Sequence, residues 1–379
     1  MENRRDFIKK MTATGLIGLF SESTLSAAMS RRLTTPSLLI RSQTPASVPV
    51  RGPLPILSTP YLETGEVDYE VLANEARFVF ECGCPGSIWP QSDDSCDLLS
   101  VEEKLKGMEA LVKAMAGTNA LVVLGCEGKH TAEMVVCAKH IQLLIQRYPE
   151  AHIAIISRPP DDGKTVEDLR NYYLELAKHV TCPVIIQTGG GTTYRGVMPP
   201  VELLIELARL HPQLFGYIKE ESGDCNSRIV EELTHKPLIK TVFSAWGSWQ
   251  WLYQSRQLGT EGLITERPAY ADLIAYIWEQ MENGDAQGTL DDAFGRYLLM
   301  LNLSNSVPDR AVGGELRGPH LYLLKRRGIF KNCLSRAYDW TGGKRTIPQQ
   351  MILKDLELSA QQQDEIERRF RSLKPYLRK

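Results

Sequence analysis

The stretch Leu214-Phe-Gly-Tyr-Ile-Lys-Glu-Glu-Ser-Gly-Asp224 carries the clearest chemical signal in the chain. Leu214, Phe215, Tyr217 and Ile218 read as a short buried strand, with Lys219 at its C-terminal end. Ser222-Gly223-Asp224 then turns the chain towards a helix. A lysine leaving an apolar strand is poorly solvated, which disfavours the ammonium and favours the neutral amine. That amine is the nucleophile that condenses with a keto group to give a Schiff base. Taken alone, the stretch also fits a lysine that caps a strand and pairs with Glu220 or Glu221.

What would position such a lysine is a repeated strand-then-helix pattern. Candidate strands cover 54–58, 87–90, 120–125, 153–157, 183–188, 215–219, 239–244 and 262–265, and amphipathic patterns such as 68–82, 101–116, 131–147 and 165–180 lie between them. A βα period of roughly 20 to 35 residues, repeated across 52–283, predicts an α/β fold. The expected form is a (β/α)8 TIM barrel rather than an open doubly wound sheet. No Gly-x-Gly-x-x-Gly follows the first strand, which argues against a dinucleotide fold. From 284 to 379 the alternation stops and a C-terminal helical extension is expected, with helices over 290–303, 316–327, 331–339 and 360–373 and an irregular link at 344–348.

Barrel active sites lie at the C-terminal ends of the strands. The candidates there are Ser92 and Asp93 after strand two, Gln187, Thr188 and Gly189 after strand five, Ser244 after strand seven and Thr265 after strand eight. In that company Lys219 reads as chemical. Gly189-Gly190-Gly191 either lets backbone N–H groups cradle an oxyanion or is a flexible loop. Tyr194 is either a proton carrier swung in from that loop or a surface tyrosine. Asp93, Asp94, Asp161 and Asp162 can accept hydrogen bonds from sugar hydroxyls or can be solvated loop charge. Trp246 is placed to wall a pocket, whereas Trp249 and Trp251 read as helix packing.

Composition narrows the class. The chain has 379 residues, 43% hydrophobic and 24% charged, with a net charge of -2, an ordinary globular balance without the basic footprint of nucleic-acid or acidic-membrane binding. No apolar run reaches the roughly 20 residues that a bilayer requires. Arg4-Arg5, the weakly apolar 11–20 and Ser26-Ala27-Ala28 form a twin-arginine-type export signal over 1–28, followed by a linker over 29–51, so an exported or periplasmic protein is expected. The eight cysteines lack a CxxC spacing and the seven histidines lack H-x-H or H-E-x-x-H, so neither a disulfide framework nor a metal site is read, and no cofactor is called for.

From about Gly52 to Leu377 the chain resembles the dihydrodipicolinate synthase / N-acetylneuraminate lyase family of class I aldolase-type enzymes. The carriers are Leu57-Ser-Thr-Pro-Tyr61 with Gly65-Glu-Val-Asp68, Ser100-Val-Glu-Glu-Lys104, Thr131-Ala-Glu133, Pro159-Pro160 and Pro183-Val-Ile-Ile186. Gly216-Tyr-Ile-Lys219-Glu-x-Ser-Gly223, Phe243-Ser244 and Leu258-Gly-Thr-Glu-Gly-Leu-Ile264 complete the set, and order and spacing carry the match. The resemblance implies a (β/α)8 barrel with a helical tail, a homo-oligomer (dimer or tetramer), and a Schiff base between Lys219 and pyruvate or another 2-oxo acid.

The departures are specific. The family ends strand five with a proton-shuttling tyrosine where this chain has Gln187, and an amide carries no titratable proton near neutral pH. The family's Gly-Thr-Thr-Gly-Glu loop becomes Gln91-Ser92-Asp93-Asp94-Ser95, in which Ser92 still offers a hydroxyl but the carboxylates would repel a substrate carboxylate. Asp161-Asp162 replaces an aromatic pair after strand four. The expectation is a Schiff-base lyase, aldolase or hydro-lyase for a sugar-derived 2-oxo acid, with Ser92 and the Gly189 backbone holding the carboxylate and Tyr194 or an acidic residue moving protons. A binding barrel that has lost turnover is the alternative, and a metal-assisted aldolase using Asp93, Asp94 and Glu127 ranks behind both.

Overall fold

Strand β3 (Leu121–Gly125) shows how the core is built. Leu121 and Val123 join one buried cluster with Leu54, Ile56, Ile88, Ile156, Ile185 and Phe243, while Val122 and Leu124 join another with helix residues such as Met108, Leu111 and Ile141. Successive side chains point to opposite faces of a strand, so the first cluster fills the barrel and the second lies between barrel and helices. The computed structural model describes residues 48–92, 94, 96–190, 194–265, 267–283, 295–296, 318–338 and 351–378. The expected export signal, most of the linker, most of the expected helix 290–303 and the link 344–348 lie outside the described residues.

Parallel strands β1 (Gly52–Pro53), β2 (Gly86–Trp89), β3, β4 (His152–Ser157), β5 (Val184–Gln187), β6 (Tyr217–Glu220), β7 (Thr241–Ser244) and β8 (Gly262–Leu263) form one eight-stranded sheet in the order β1-β8-β7-β6-β5-β4-β3-β2. The Ile56–Ile88 bridge, with Leu57 N donating to Ile88 O at 2.9 Å and Ile88 N to Pro55 O at 3.0 Å, joins the first strand to β2 and closes the (β/α)8 barrel. Strand one departs from the expected 54–58: its ladder is confined to Gly52–Pro53 and the single bridge. Pro53 and Pro55 lack the N–H donors that a continuous ladder needs.

Helices α1 (Tyr69–Glu81), α2 (Val101–Met115), α3 (Thr131–Arg147), α4 (Val166–Ala177), α5 (Val201–Leu210), α6 (Cys225–Leu233), α7 (Ser248–Tyr253) and α8 (Ala271–Glu282) alternate with the strands. Their starts follow local chemistry. Ser100 and Thr165 form capping boxes with Glu103 and Asp168, and Asp68 accepts from Val71 N. At α3 the N-cap is His130 without a side-chain bond, so Thr131 is the first helical residue and not the cap.

The C-terminal region corrects the sequence reading. Helices α9 (Gly318–Arg326) and α10 (Ala360–Leu373) match expectation, but the expected helix at 331–339 is strand β9 (Leu334–Tyr338), antiparallel to β10 (Met351–Asp355). Cys333, Ser335 and Ala337 are buried while Leu334 and Arg336 are half-buried. This period of two is carried by small residues, so it gives little hydropathy contrast. Leu321, Leu324, Phe330, Ile366 and Phe370 pack with Leu273, Ile274 and Ile277 of α8. Among the described residues no helix is long and apolar enough to cross a membrane.

Candidate active site

Counting from Ile185 and Phe243, which fill the barrel, strand parity puts Gln187 and Lys219 on the inner face at the C-terminal end. The two are paired in register, Gln187 beside Lys219, and Lys219 is 1% exposed. Its Nζ lies 3.3 Å from Glu221 Oε2. The other oxygen of that carboxylate accepts from Gln187 Nε2 at 2.7 Å. Gln187 Nε2 also donates to Ser92 Oγ at 3.2 Å, and Gln187 Oε1 accepts from Gln91 Nε2 at 2.6 Å. Gln91 Nε2 reaches Ser92 Oγ at 2.9 Å as well. Strand ends β2, β5 and β6 are thereby joined in one polar network around the lysine.

Of the residues expected from sequence, Lys219, Gln187, Ser92 and Gly189 meet here. A Cβ on Gly189 would lie 2.1 Å from Glu221 Oε1, and one on Gly190 would lie 2.2 Å from the Tyr194 ring. Gly189 and Gly190 make room for a carboxylate and an aromatic ring. Tyr194 is not brought to the lysine. Its hydroxyl donates to the Val197 carbonyl within its own loop, and burial raises the phenol to about 12, far from a useful proton carrier at neutral pH.

Thr188 and Ser244 take the opposite parity. Thr188 Oγ1 donates to Glu220 Oε1 at 2.9 Å and accepts from Glu221 N at 2.9 Å, so it fixes the turn after β6 and is not placed as a substrate contact. Ser244 Oγ donates to Gln254 Oε1 at 2.5 Å and to Trp246 O at 2.9 Å, towards the helix layer. Thr265 lies beyond the end of β8, half-buried, and takes no part in the network. Asp93 and Gly191 fall outside the described residues. The Trp246 residue is 45% exposed, while Trp251 is buried against α8.

The acidic candidates are also engaged. Asp94 accepts from Thr59 N at 3.0 Å and from the Thr59 hydroxyl, whose oxygen takes the Trp89 indole N–H at 2.9 Å. Glu127, at the end of β3, faces Arg158 Nε at 3.6 Å, and Arg158 Nη2 donates to Asp97 at 2.7 Å. Burial raises the Glu127 carboxyl, against the lowering fields of Arg158 and Lys219. Asp162 pairs with His130 at 3.2 Å on the surface. Among the described residues no group of three His, Cys, Asp or Glu side chains is placed to hold a metal ion. A cavity of about 690 Å³ lies elsewhere, between α1 and the C-terminal region, lined by residues including Arg77, Phe78, Arg326 and Phe370.

Sequence reasoning offered Glu221 only as one of two ion-pair partners for a structural lysine, and gave Gln91 and Arg158 no role in the site. The signal for Glu221 was present, because residues two apart at a strand end share a face. Its neighbour Glu220 faces outward to α6, where Arg228 Nε lies 3.0 Å from Glu220 Oε2 and 19% of the Arg228 side chain is exposed. Glu232 of α6 is fully buried beside them, with Oε1 4.0 Å from Arg228 Nη2. Burial, then the adjacent Glu220, pushes the Glu232 carboxyl far above its ordinary value near 4.5.

A raised folded pKa stabilises fully below the unfolded value, and that contribution is lost as pH rises towards the folded value. Glu232→Gln is therefore expected to match the parent near pH 5 and to exceed its stability at pH 8 by about 1–2 kcal/mol. Urea midpoints at the two pH values measure this; a difference that does not grow with pH would reject it.

Comparison with known proteins is consistent with this geometry. No family model matches the chain. A 4-hydroxy-tetrahydrodipicolinate synthase of Neisseria meningitidis serogroup B is 26% identical over 180 residues, covering 48% of this chain and 58% of that protein. One of Archaeoglobus fulgidus is 28% identical over 174 residues, covering 46% and 55%. The chain thus spans a little over half the length of the curated relatives it matches. Among solved structures, dihydrodipicolinate synthase from Aquifex aeolicus aligns with TM-score 0.65 at 19% identity over 87% of this chain and 100% of that one. N-acetylneuraminate lyase from Fusobacterium nucleatum aligns with TM-score 0.64 at 18% identity over 86% and 99%. The class is a (β/α)8 barrel with a buried lysine at its C-terminal mouth. Within that class the chain is similar to 4-hydroxy-tetrahydrodipicolinate synthases at 26–28% identity over a little under half of its length.

Proposed function

We propose that this protein is a class I aldolase-type lyase, in which Lys219 forms a Schiff base with a 2-oxo acid. The observation that carries the reading is Lys219 itself: buried, inside the barrel, at the strand ends where barrel chemistry is done. The iminium draws electrons from the neighbouring bond, which serves C–C cleavage, condensation or loss of water. Ser92, half-buried beside Gln187, offers a hydroxyl for the substrate's oxygens. The exposed Asp162 and its neighbour Asp161 on the loop after β4 are acceptors suited to the hydroxyls of a sugar-derived acid.

The test is reductive trapping by borohydride with pyruvate and a panel of sugar-derived 2-oxo acids, read by peptide mass spectrometry. An acid-dependent adduct on Lys219 is the expected result, and the strongest adduct in the panel indicates the substrate class. Folded protein that gives no adduct with any acid would favour a binding barrel without turnover. Two observations favour that second reading: Gln187 has no titratable proton, and the Tyr194 hydroxyl is engaged with Val197.

A further inference from the structure

We infer that Glu221 is the proton-transfer group of this site, a conclusion that rests on the Schiff-base reading of Lys219. Four contacts place it. Glu221 Oε2 lies 3.3 Å from Lys219 Nζ, and Oε1 accepts from Gln187 Nε2 at 2.7 Å. The Glu221 backbone N–H is tied to Thr188 Oγ1 at 2.9 Å, and Gly189 leaves the space that the carboxylate occupies. The orientation of the Gln187 amide is set from both ends, because its oxygen accepts from Gln91 while its nitrogen serves Glu221 and Ser92. The glutamine on strand five therefore aims a carboxylate that strand six supplies two residues beyond the lysine.

Neighbouring groups are directed elsewhere. Glu127 faces Arg158, Glu220 faces Arg228 on α6, and the Tyr194 hydroxyl bonds its own loop. Glu221 retains 19% side-chain exposure against 1% for Lys219, so it can exchange protons with solvent while touching a buried amine.

The chemistry balances on this pair. The Glu221 carboxylate takes one proton from the Lys219 ammonium, leaving a neutral amine and a carboxylic acid. The amine lone pair bonds the keto carbon, the C=O π pair moves to oxygen, and a proton passes from nitrogen to that oxygen to give the carbinolamine. The Glu221 acid then protonates the hydroxyl, the C–O bond breaks with its pair on the departing water, and the nitrogen lone pair forms the iminium. Three protons on the starting ammonium become one on the iminium and two on water, and Glu221 ends as a carboxylate.

The test follows the rate of the Lys219 adduct with pyruvate under cyanoborohydride. Glu221→Gln keeps size and hydrogen bonding but accepts no proton, and is expected to slow trapping by about 10²-fold or more. Glu221→Ala should be equally slow, and added formate should restore its rate in proportion to concentration; Glu221→Asp should recover part of the rate. A Glu221→Gln rate equal to the parent's overturns the inference. So does a loss in folded Glu221→Ala that formate leaves untouched, because a purely structural ion pair gives that pattern. A parent protein that gives no Lys219 adduct removes the Schiff-base reading and this one with it, an outcome separate from the other two.

Discussion

Lys219→Met is expected to lose the keto-acid adduct to below detection, a fall of about 10³-fold or more, while unfolding within about 1 kcal/mol of the parent. Both halves follow from the same burial. The thioether cannot add to a carbonyl, and Lys219→Arg should fail equally because a guanidinium stays protonated. Methionine fills nearly the same volume as lysine, so the barrel interior beside Phe243 is not opened. Removing the amine also removes the cost of keeping an ammonium at 1% exposure. The Glu221 left behind keeps its bond from Gln187 and a side chain that is 19% exposed. A lysine retained only to hold the fold would behave in the opposite way. Its loss would cost about 3–5 kcal/mol, as for a broken buried pair, and no adduct would have been present to lose. Urea unfolding together with mass spectrometry of the trapped peptide separates the two.

The barrel was legible in the sequence because its strands are dense and doubly buried. Runs such as 120–125 and 183–188 carry Val, Ile and Leu on both faces, and the βα spacing then places Lys219 at a strand end. The set of residues at the strand ends was legible only as a set. Which of them face the barrel depends on parity, and one residue separates Gln187 from Thr188 and Phe243 from Ser244. The same rule put Glu221, and not Glu220, beside the lysine, a choice that the sequence reading left open. Tyr194 depended on the path of a loop, which no periodicity encodes; its ring packs over Gly190 and its hydroxyl meets Val197. The hairpin at β9 was hidden for a different reason. Its buried face is Cys333, Ser335 and Ala337, and side chains that small leave a helical and an extended reading of the segment nearly equal in hydropathy.

Asp272→Ala is expected to destabilise the protein by about 3–5 kcal/mol, the largest stability effect predicted for a single side chain. Asp272, at the start of α8, is fully buried and meets Arg327 in a two-point pair, Oδ2 with Nη2 at 2.7 Å and Oδ1 with Nη1 at 3.1 Å. It also accepts from Arg378 N at 3.0 Å. Arg327 follows α9, donates to Ala269 O at 2.8 Å and lies over the Phe78 ring of α1 at 4.7 Å. One carboxylate thus joins the barrel's last helix to two separate parts of the C-terminal region, and Arg327 carries the contact on to α1. Removing it strands a guanidinium whose side chain is 4% exposed, and an uncompensated buried charge is what makes a broken pair costly. Asp272→Leu combined with Arg327→Met should recover much of the loss, since it leaves no charge behind and extends the apolar cluster of Leu273, Ile274 and Leu324. Urea unfolding followed by tryptophan fluorescence reads both, with Trp251 buried in that cluster as a reporter. An Asp272→Ala loss under about 1 kcal/mol would show that solvent reaches the pair, and a double variant no better than the single would show that packing, not charge, sets the cost. The adduct on Lys219 should persist in the folded fraction of every variant, because the anchor and the lysine share no contact. Stability and chemistry in this chain are then separable by measurement: Asp272 variants change the urea midpoint and leave the adduct, whereas Lys219 variants remove the adduct and leave the midpoint.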